Sequence, residues 1–194
     1  MSRLDLVVGS NGAGKSTFVR YTLAPTISWS VFVNADEIAK QRWPDDPETH
    51  SYDAARIAAD TRDRLISMGQ PLIAETVFSH PSKLDLLRAA AAGGYEVYVH
   101  ALLVTPDTSV ARVAHRVTAG GHTVPEAKIR ERYERLWPLV ADAIGLADAA
   151  TVYDNSHHDG PRPVAVFASG LPVGTPAWPS WAPAALTLRW PATA

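Results

Sequence analysis

The sequence has no cysteine among its 194 residues, which excludes disulfide bonds and thiol chemistry and is compatible with a reducing compartment. No uncharged apolar stretch of about 18 residues occurs, and the N-terminus lacks the basic segment and apolar run of a secretory signal. The formal net charge is only −2, and the basic residues are dispersed except between Arg112 and Arg135. We therefore predict a cytoplasmic protein whose partner is neither a nucleic acid nor a membrane.

Length and composition favour one α/β domain over residues 1–194, because 46% hydrophobic residues suffice for one full core. Short apolar runs rich in β-branched residues alternate with segments of helical spacing. This alternation predicts a three-layer sandwich, in which helices cover both faces of a central parallel sheet of about five strands. The predicted strands are Leu4–Val8, Trp29–Val33, Pro71–Ala74, Tyr95–Val104 and Ala150–Tyr153.

Helical spacing of apolar residues continues between these strands. The predicted helices are Ala54–Met68, Ser82–Ala92, Thr108–Thr118 and a longer one that opens after Thr123. Thr123 and Glu126 have the spacing of a capping box at the start of that last helix. Pro138 falls inside it and should kink it, because proline lacks the N–H that the helix needs.

The chain from Gly160 onward is rich in proline, alanine and tryptophan and has no sustained periodicity. We predict an irregular wrap over residues 160–194, with a short strand at Val164–Ala168. Trp178 and Trp181 would cover edges of the core, and stacking on an adenine is the alternative.

The strongest motif follows the first predicted strand and has the pattern G-x-x-x-x-G-K-[ST] of a phosphate-binding loop. Its three glycines let backbone N–H groups turn around a polyphosphate, and the following helix directs its positive end to the same charge. Lys15 would reach the β- and γ-phosphates, and the Ser16 hydroxyl would hold Mg²⁺. This phosphate loop, which predicts a P-loop NTPase fold, consists of Gly9, Ser10, Asn11, Gly12, Ala13, Gly14, Lys15, Ser16 and Thr17.

Polar residues follow the other four predicted strands, at the edge where open α/β sheets bind their ligands. They are Asn34, Asp36, Glu75, Thr76, Thr105, Asp107, Asp154, Asn155 and Ser156. We predict that Asn155 binds the nucleotide, because the loop after the fifth strand often meets adenine in kinases of this shape.

Two carboxylates at this edge have more than one interpretation. Asp36 lies where phosphoryl-transfer enzymes place a group that accepts the acceptor hydroxyl's proton or positions Mg²⁺; otherwise it caps the helix that starts at Glu37. Glu75 would bind a substrate hydroxyl, contact Mg²⁺ through water, or only pair with a nearby cation. Together with Asn34 and Thr76 it makes up the predicted substrate-binding set.

Five arginines lie on two predicted helices that the turn Gly120-Gly121-His122 joins. They are Arg112, Arg116, Arg130, Arg132 and Arg135. A charge-rich helix is usually a solvated face, but two such helices beside a phosphate loop suit a lid over about residues 108–135. The lid would neutralise charge on the transferred phosphoryl group. His122 would contact phosphate or, alternatively, hold the turn by a hydrogen bond, and the pair His157-His158 lacks further ligands at the spacing that zinc needs.

Taken together, these motifs resemble the zeta toxin family of phosphate-loop kinases, from the phosphate loop to Asp154-Asn155-Ser156. The segments that carry the resemblance are Gly9–Thr17, Val33–Ile38, Ala74–Thr76, Arg112–Pro125 and Ile129–Tyr133. The first segment is generic to phosphate-loop proteins. The pattern R-V-x-x-R-V-x-x-G-G-H-x-V-P in the fourth is far more specific.

The resemblance implies a kinase that uses ATP and Mg²⁺ to phosphorylate a sugar hydroxyl of UDP-N-acetylglucosamine, and that a small helical antitoxin protein restrains. It makes Asp36 the general base, Ser16 a ligand of Mg²⁺ and Glu75 a ligand of the substrate sugar. The implied catalytic residues are Lys15, Asp36, Arg116 and Arg130, with Arg112 and Arg132 in reserve.

Three other functions stay open at this point. A kinase of another small molecule, such as an antibiotic, would use the same loop and lid. A nucleotide-dependent switch or mechanical ATPase is disfavoured, because the sequence has neither an L-S-G-G-Q signature nor an N-K-x-D motif. A non-catalytic remnant that only binds antitoxin is disfavoured because Lys15, Asp36 and the arginines occur together.

Overall fold

A seven-stranded sheet forms the centre of the protein in the computed structural model, which describes residues 2–118 and 124–192. The strands are β1 (Arg3–Gly9), β2 (Val31–Val33), β3 (Leu72–Thr76), β4 (Glu96–Leu103), β5 (Ala149–Asp154), β6 (Arg162–Ala168) and β7 (Leu171–Pro172). Their order across the sheet is β2-β3-β1-β4-β5-β6-β7. β1 lies between β3 and β4 and runs parallel to both, so the loop that follows β1 leaves the sheet near its middle.

All five predicted parallel strands are present, with ends that differ from the prediction by at most two residues. The predicted short strand Val164–Ala168 is present as β6, and it extends the sheet together with β7, each strand antiparallel to its neighbour. The mixed sheet with flanking helices confirms the α/β P-loop fold class. Register and crossover geometry place the carboxyl ends of β1 to β5 along one edge.

Helices connect the parallel strands, as the periodicity predicted. They are α1 (Lys15–Phe18), which continues as a π-helical turn over Val19–Leu23, α2 (Ala35–Arg42), α3 (Ser51–Ser67), α4 (Lys83–Ala92), α5 (Pro106–Thr118), α6 (Glu126–Leu146) and α7 (Ala184–Thr187). α6 runs through Pro138 without interruption and has Pro125 at its N-cap position, while the predicted capping residue Thr123 lies outside the described residues. Within residues 2–118 and 124–192, no helix combines the length and apolarity that crossing a bilayer requires.

Alternate residues of β1 face the two sides of the sheet, and each side has its own apolar cluster. Leu4, Leu6 and Val8 are fully buried on the side that α4 and α6 cover. Val7 is buried on the other side, against Phe18 and the turn that follows α1. Burying each such side chain contributes about 1.5–3 kcal/mol, so the phosphate loop follows a strand that is firmly held on both faces of the sheet.

The C-terminal segment is more regular than the predicted wrap. It contributes β6, β7 and α7, and Phe167 and Trp190 pack on each other within the core at a ring separation of 4.7 Å. Trp178 and Trp181 pack against the edge of the same core, and the indole N–H of Trp178 donates to the backbone carbonyl of Trp190 at 2.8 Å. This confirms their predicted role as core cover, and neither residue lines the cleft described below.

One carboxylate lies inside the sheet. Asp5 is fully buried on β1 and accepts two hydrogen bonds from the Arg3 guanidinium, at 2.6 and 2.7 Å. The ring Nε2 of His100 lies 3.0 Å from Oδ1 of the same carboxylate. Burial alone would raise the pKa of Asp5, but the hydrogen bonds and charges of Arg3 and His100 outweigh burial and lower it below its ordinary value.

Candidate active site

A cleft of about 1640 Å³ opens at the carboxyl ends of the parallel strands. Its walls come from the phosphate loop, α2, α3, the start of α4, and the arginine-bearing helices α5 and α6. The predicted site residues that line it are Asn11, Gly12, Gly14, Lys15, Ser16, Thr17, Asn34, Asp36, Glu75, Thr76, Arg112, Arg116, Arg132 and Asn155. Residues that are distant in sequence meet here because parallel strands place their exits at one edge.

Two glycines of the phosphate loop have backbone angles that favour glycine over any other residue. Gly12 has φ of 76° and Gly14 has φ of 89°, a region that L-residues rarely adopt. A Cβ on Gly12 would also lie 2.8 Å from the carbonyl oxygen of Ser109, so the loop packs directly on α5. Gly14 is the N-cap residue of α1, and it lets the chain turn from the loop into that helix.

Lys15 is buried beneath the loop. Its Nζ donates to the carbonyl oxygens of Gly9 at 3.1 Å and Ser10 at 3.0 Å. Burial lowers the pKa of Lys15, while the negative charges of Glu75 and Asp36 counter part of that decrease and Arg116 adds to it. A bound polyphosphate would place negative charge beside Lys15 and favour its protonated form, as expected for a phosphate-binding lysine.

Two polar contacts fix the loop from behind. The hydroxyls of Ser10 and Ser109 are 2.6 Å apart and both residues are buried. The side-chain N–H of Asn155 donates to the carbonyl oxygen of Ala13 at 2.7 Å. Asn155, which was predicted to meet the adenine, has its amide against the loop backbone and also lines the cleft, so its contact with a nucleotide stays a prediction. Ser109 was not predicted, because nothing in the pattern of α5 marks a serine that touches the loop.

A chain of three side chains links the phosphate loop to the first turn of α2. Ser16 donates its hydroxyl to Oε1 of Glu75 at 2.9 Å, and the Asn34 amide donates to Oε2 at 2.7 Å. The other end of the same amide, Oδ1, accepts from the backbone N–H groups of Asp36 and Glu37 and so caps α2. Capping, the alternative considered for Asp36, is therefore the role of Asn34.

Asp36 itself is exposed and lines the cleft in the first turn of α2. Its carboxylate makes no hydrogen bond with another residue in the described ranges, although it is close enough to Lys15 to raise that residue's pKa. Since helix capping does not occupy it, this carboxylate is free to accept a proton from a bound hydroxyl.

Glu75 is more enclosed than Asp36. Burial raises the pKa of Glu75, while the charge of Lys15 and the hydrogen bonds from Ser16 and Asn34 counter part of that increase. Thr76, its neighbour on β3, accepts a hydrogen bond from the backbone N–H of Phe78 at 3.2 Å. Phe78 has a left-handed φ of 59°, so Thr76 holds an unusual bend at the exit of the strand.

The structure divides the arginines into two groups. Arg112, Arg116 and Arg132 line the cleft, whereas Arg130 does not. Arg130 donates instead to Asp107 and Glu126, both at 2.8 Å. It lies two residues from Arg132, about 200° around α6, and so faces away from the cleft. The hinge Gly120-Gly121-His122 lies outside the described residues, and lid closure stays a prediction.

The sequence analysis did not single out five cationic residues that line the cleft, namely Arg20, Lys40, Arg62, Lys83 and Lys128. Of these, Arg62 belongs to α3 and Lys83 to α4. The helical spacing from Ala55 through Ala58 and Ala59 to Arg62 places these residues along one wall, but a series of alanines was interpreted as packing. Lys83 had no signal, because it follows an irregular loop.

The fold and the site together define the class of this protein. A phosphate loop between a central parallel strand and a helix, with a carboxylate and arginines around the same cleft, is the arrangement of the P-loop kinases.

The sequence model of the Zeta toxin family matches residues 3–159, so the chain belongs to that family. An uncharacterized protein of Haemophilus influenzae is 27% identical over 126 residues, which cover 64% of this chain and 88% of that protein. The matched region ends near the fifth strand, so the C-terminal strands β6 and β7 lie outside the family match.

Solved structures share the fold at low identity. The PezAT toxin-antitoxin system of Streptococcus pneumoniae gives a TM-score of 0.62 at 17% identity, covering 79% of this chain and 68% of that chain. The AvrRxo1-ORF1:-ORF2 structure with ATP gives 0.69 at 14% identity and 89% coverage of this chain. The match covers only 60% of that AvrRxo1 chain, so less than two thirds of its length has a counterpart here.

Proposed function

We propose that this protein is a kinase that transfers the γ-phosphoryl group of ATP to a hydroxyl of a nucleotide sugar, with UDP-N-acetylglucosamine as the acceptor. The observation that carries the proposal is the meeting of Lys15, Asp36 and Glu75 on one cleft together with Arg116 and Arg132. Membership of the zeta toxin family supports the choice of acceptor.

Proton transfer is assigned to Asp36. A general base must be within reach of the substrate and free of competing hydrogen bonds, and Asp36 lines the cleft without one to a described residue. The acceptor hydroxyl would give its proton to this carboxylate as its oxygen attacks the γ-phosphorus, and the bond from that phosphorus to the bridging oxygen of ADP would break. Glu75, with Thr76 and Asn34 beside it, would bind the sugar and hold that hydroxyl in line.

Charge stabilisation is assigned to cations on opposite sides of the transferred group. Lys15 reaches it from below the loop, while Arg116 and Arg132 line the cleft from the lid side. Ser16 and Glu75 place two hard oxygen atoms 2.9 Å apart, a donor set that suits Mg²⁺. When bound, that ion would neutralise phosphate charge, with Ser16 as its protein ligand and Glu75 in reach through water.

We further propose a protein partner that blocks this cleft, a small helical antitoxin. The structural similarity to the PezAT toxin-antitoxin system supports this part of the proposal. A kinase that consumes a cell-wall precursor must be held inactive in the cell that makes it, and occupation of the ATP-binding region is a direct way to do so.

The test is transfer of label. Purified protein is incubated with γ-labelled ATP, Mg²⁺ and a panel of UDP-sugars, and Lys15→Ala is run in parallel. New labelled UDP-N-acetylglucosamine phosphate that is absent with Lys15→Ala supports the proposal. Label that appears only in another small molecule would identify a different acceptor, and hydrolysis of ATP without transfer to any acceptor would favour a switch ATPase.

A further inference from the structure

Arg62 and Lys83 are two half-buried cations that line the cleft. Neither makes a hydrogen bond or an ion pair with another residue in the described part of the chain. Arg3 and Arg88, by contrast, form ion pairs with Asp5 at 2.6 Å and with Asp85 at 2.8 Å. Arg62 and Lys83 therefore differ from cations that a carboxylate neutralises within the fold.

The environment of the two groups opposes their charge. Burial lowers the pKa of Arg62, partly countered by the charge of Asp63. Burial also lowers the pKa of Lys83, and the charge of Arg62 lowers it further. Two like charges that are partly removed from water and close enough to repel each other destabilise the folded protein unless an anion joins them.

The position of the pair indicates which anion this is. The triphosphate of ATP is expected on the phosphate loop and under the lid helices, where Lys15, Arg116 and Arg132 serve it. Arg62 and Lys83 come from α3 and α4, the helices that precede and follow β3 and its site residue Glu75. They line the same cleft, where Ala55, Ala58 and Ala59 of α3 have small side chains and leave room for a ligand.

We propose that Arg62 and Lys83 form a subsite for a phosphate or diphosphate group of the acceptor, an inference that rests on the proposed kinase function. A guanidinium offers paired N–H donors that match phosphate oxygens, and an ammonium supplies a point charge beside them. The pair thus selects anionic acceptors over neutral sugars of similar shape.

The binding test fills the phosphate loop first. Protein saturated with Mg²⁺ and a non-hydrolysable ATP analogue is titrated with UDP, inorganic phosphate or UDP-N-acetylglucosamine. The variants are Arg62→Gln, Lys83→Gln and the double variant. Arg56→Gln is the matched control, because Arg56 is on the same helix but exposed and paired with Asp53. We expect UDP affinity to fall about tenfold or more in each single variant, with control and ATP-analogue affinities unchanged.

Thermal unfolding gives a second readout that a purely structural role would not produce. Without ligand, the double variant should melt at or above the temperature of the unmodified protein, because the repulsion is gone. With the loop filled, UDP should raise the melting temperature of the unmodified protein and of Arg56→Gln, but not that of the double variant. A lower melting temperature of the unliganded double variant would overturn the proposal, since it would mean that the pair stabilises the fold.

Different experimental results would contradict the proposed subsite and the proposed acceptor. If UDP-N-acetylglucosamine is phosphorylated while the variants keep their KM and their UDP affinity, the subsite is wrong and the proposed function stands. If UDP or phosphate binding depends on Arg62 and Lys83 but no UDP-sugar accepts label, the subsite stands and the acceptor is another anionic molecule. Absence of any UDP or phosphate binding to the loop-filled protein would overturn the subsite.

Discussion

The side-chain amide of Asn34 joins Glu75 to the first turn of α2, donating to Oε2 of Glu75 at 2.7 Å while its Oδ1 caps the helix. One residue thus fixes the position of a substrate-side carboxylate and of the helix that carries Asp36. Asn34 therefore has a structural role, whereas the role proposed for Asp36 is chemical, and mutations of the two residues can test this distinction.

Asn34→Ala should lower the free energy of unfolding by about 1 kcal/mol, because the N-terminal N–H groups of α2 lose their acceptor. Asp36→Ala, two residues away, should leave stability within about 0.5 kcal/mol, since that carboxylate caps nothing. Urea unfolding of the two variants beside the unmodified protein measures both. Equal destabilisation by the two changes would contradict the assignment of the cap to Asn34.

Asp36→Asn should abolish phosphoryl transfer while ATP affinity stays nearly unchanged. The amide keeps the shape of the carboxylate but cannot accept the proton, and general-base catalysis typically contributes about 10²–10⁴-fold. Transfer rates with γ-labelled ATP and titration with an ATP analogue check the two parts. Asp60→Asn, on the far side of α3 from the cleft, serves as control; turnover by Asp36→Asn at the control rate would refute the role.

Lys15→Met should weaken ATP binding by about tenfold or more, because charge-assisted hydrogen bonds to phosphate contribute about 1.5–3 kcal/mol each. The same variant should not melt lower than the unmodified protein in the absence of ligand, since the buried ammonium is partly desolvated there. Calorimetric titration and thermal melting are the measurements. Lys40→Met, an exposed lysine on the cleft wall, is the matched control for loss of positive charge.

Arg132 and Arg130 give a direct comparison within one helix. Arg132→Gln should lower the rate of transfer about tenfold or more, because this guanidinium lines the cleft. Arg130→Gln should change the rate little, because its partners are Asp107 and Glu126. Single-turnover rates of phosphoryl transfer by the two variants show which arginine contributes to catalysis. The reverse ranking would restore Arg130 as the catalytic arginine that the family resemblance implies.

Acid stability should depend on Asp5, whose folded-state pKa lies below its ordinary value. A carboxylate with a lowered folded pKa stabilises the protein fully above its unfolded pKa of about 3.9, and this contribution disappears as pH falls through the folded value. Asp5→Asn should therefore cost about 2 kcal/mol near pH 7 and make stability less sensitive to pH below about 4. Urea unfolding at several pH values tests this; an unchanged slope below pH 4 would show that other carboxylates control it.

Much of the fold could be predicted from the sequence because its signals are local. The alternation in Leu4–Val8 and the glycines of the phosphate loop specify a strand, a turn and a helix start within about 15 residues. In the C-terminal segment the predicted strand Val164–Ala168 is present as β6, whereas β7 and α7 were not predicted. The pairing of β6 with β5 and of β7 with β6 joins residues that the local pattern does not connect. That residues 1–194 form one domain stays a prediction.

The candidate site, like the fold, could be predicted only in part from the sequence. The motifs predicted which residues meet at the cleft, since Lys15, Ser16, Asp36 and Glu75 lie near the carboxyl ends of their strands and all line it. Their chemical roles stay predictions. The motifs did not predict which of them are free to act, because Asn34 rather than Asp36 caps α2. Such choices depend on distances between residues that are far apart in sequence.

The sequence by itself determined the family, the phosphate loop and the edge of the sheet at which chemistry takes place, because these depend on residue type and short spacing. Only the tertiary structure placed Arg130 away from the cleft, set Asn155 against the loop and brought Arg62 and Lys83 to the same cleft. Packing decides these contacts, since the orientation of a helix about its axis selects which side chains face the ligand.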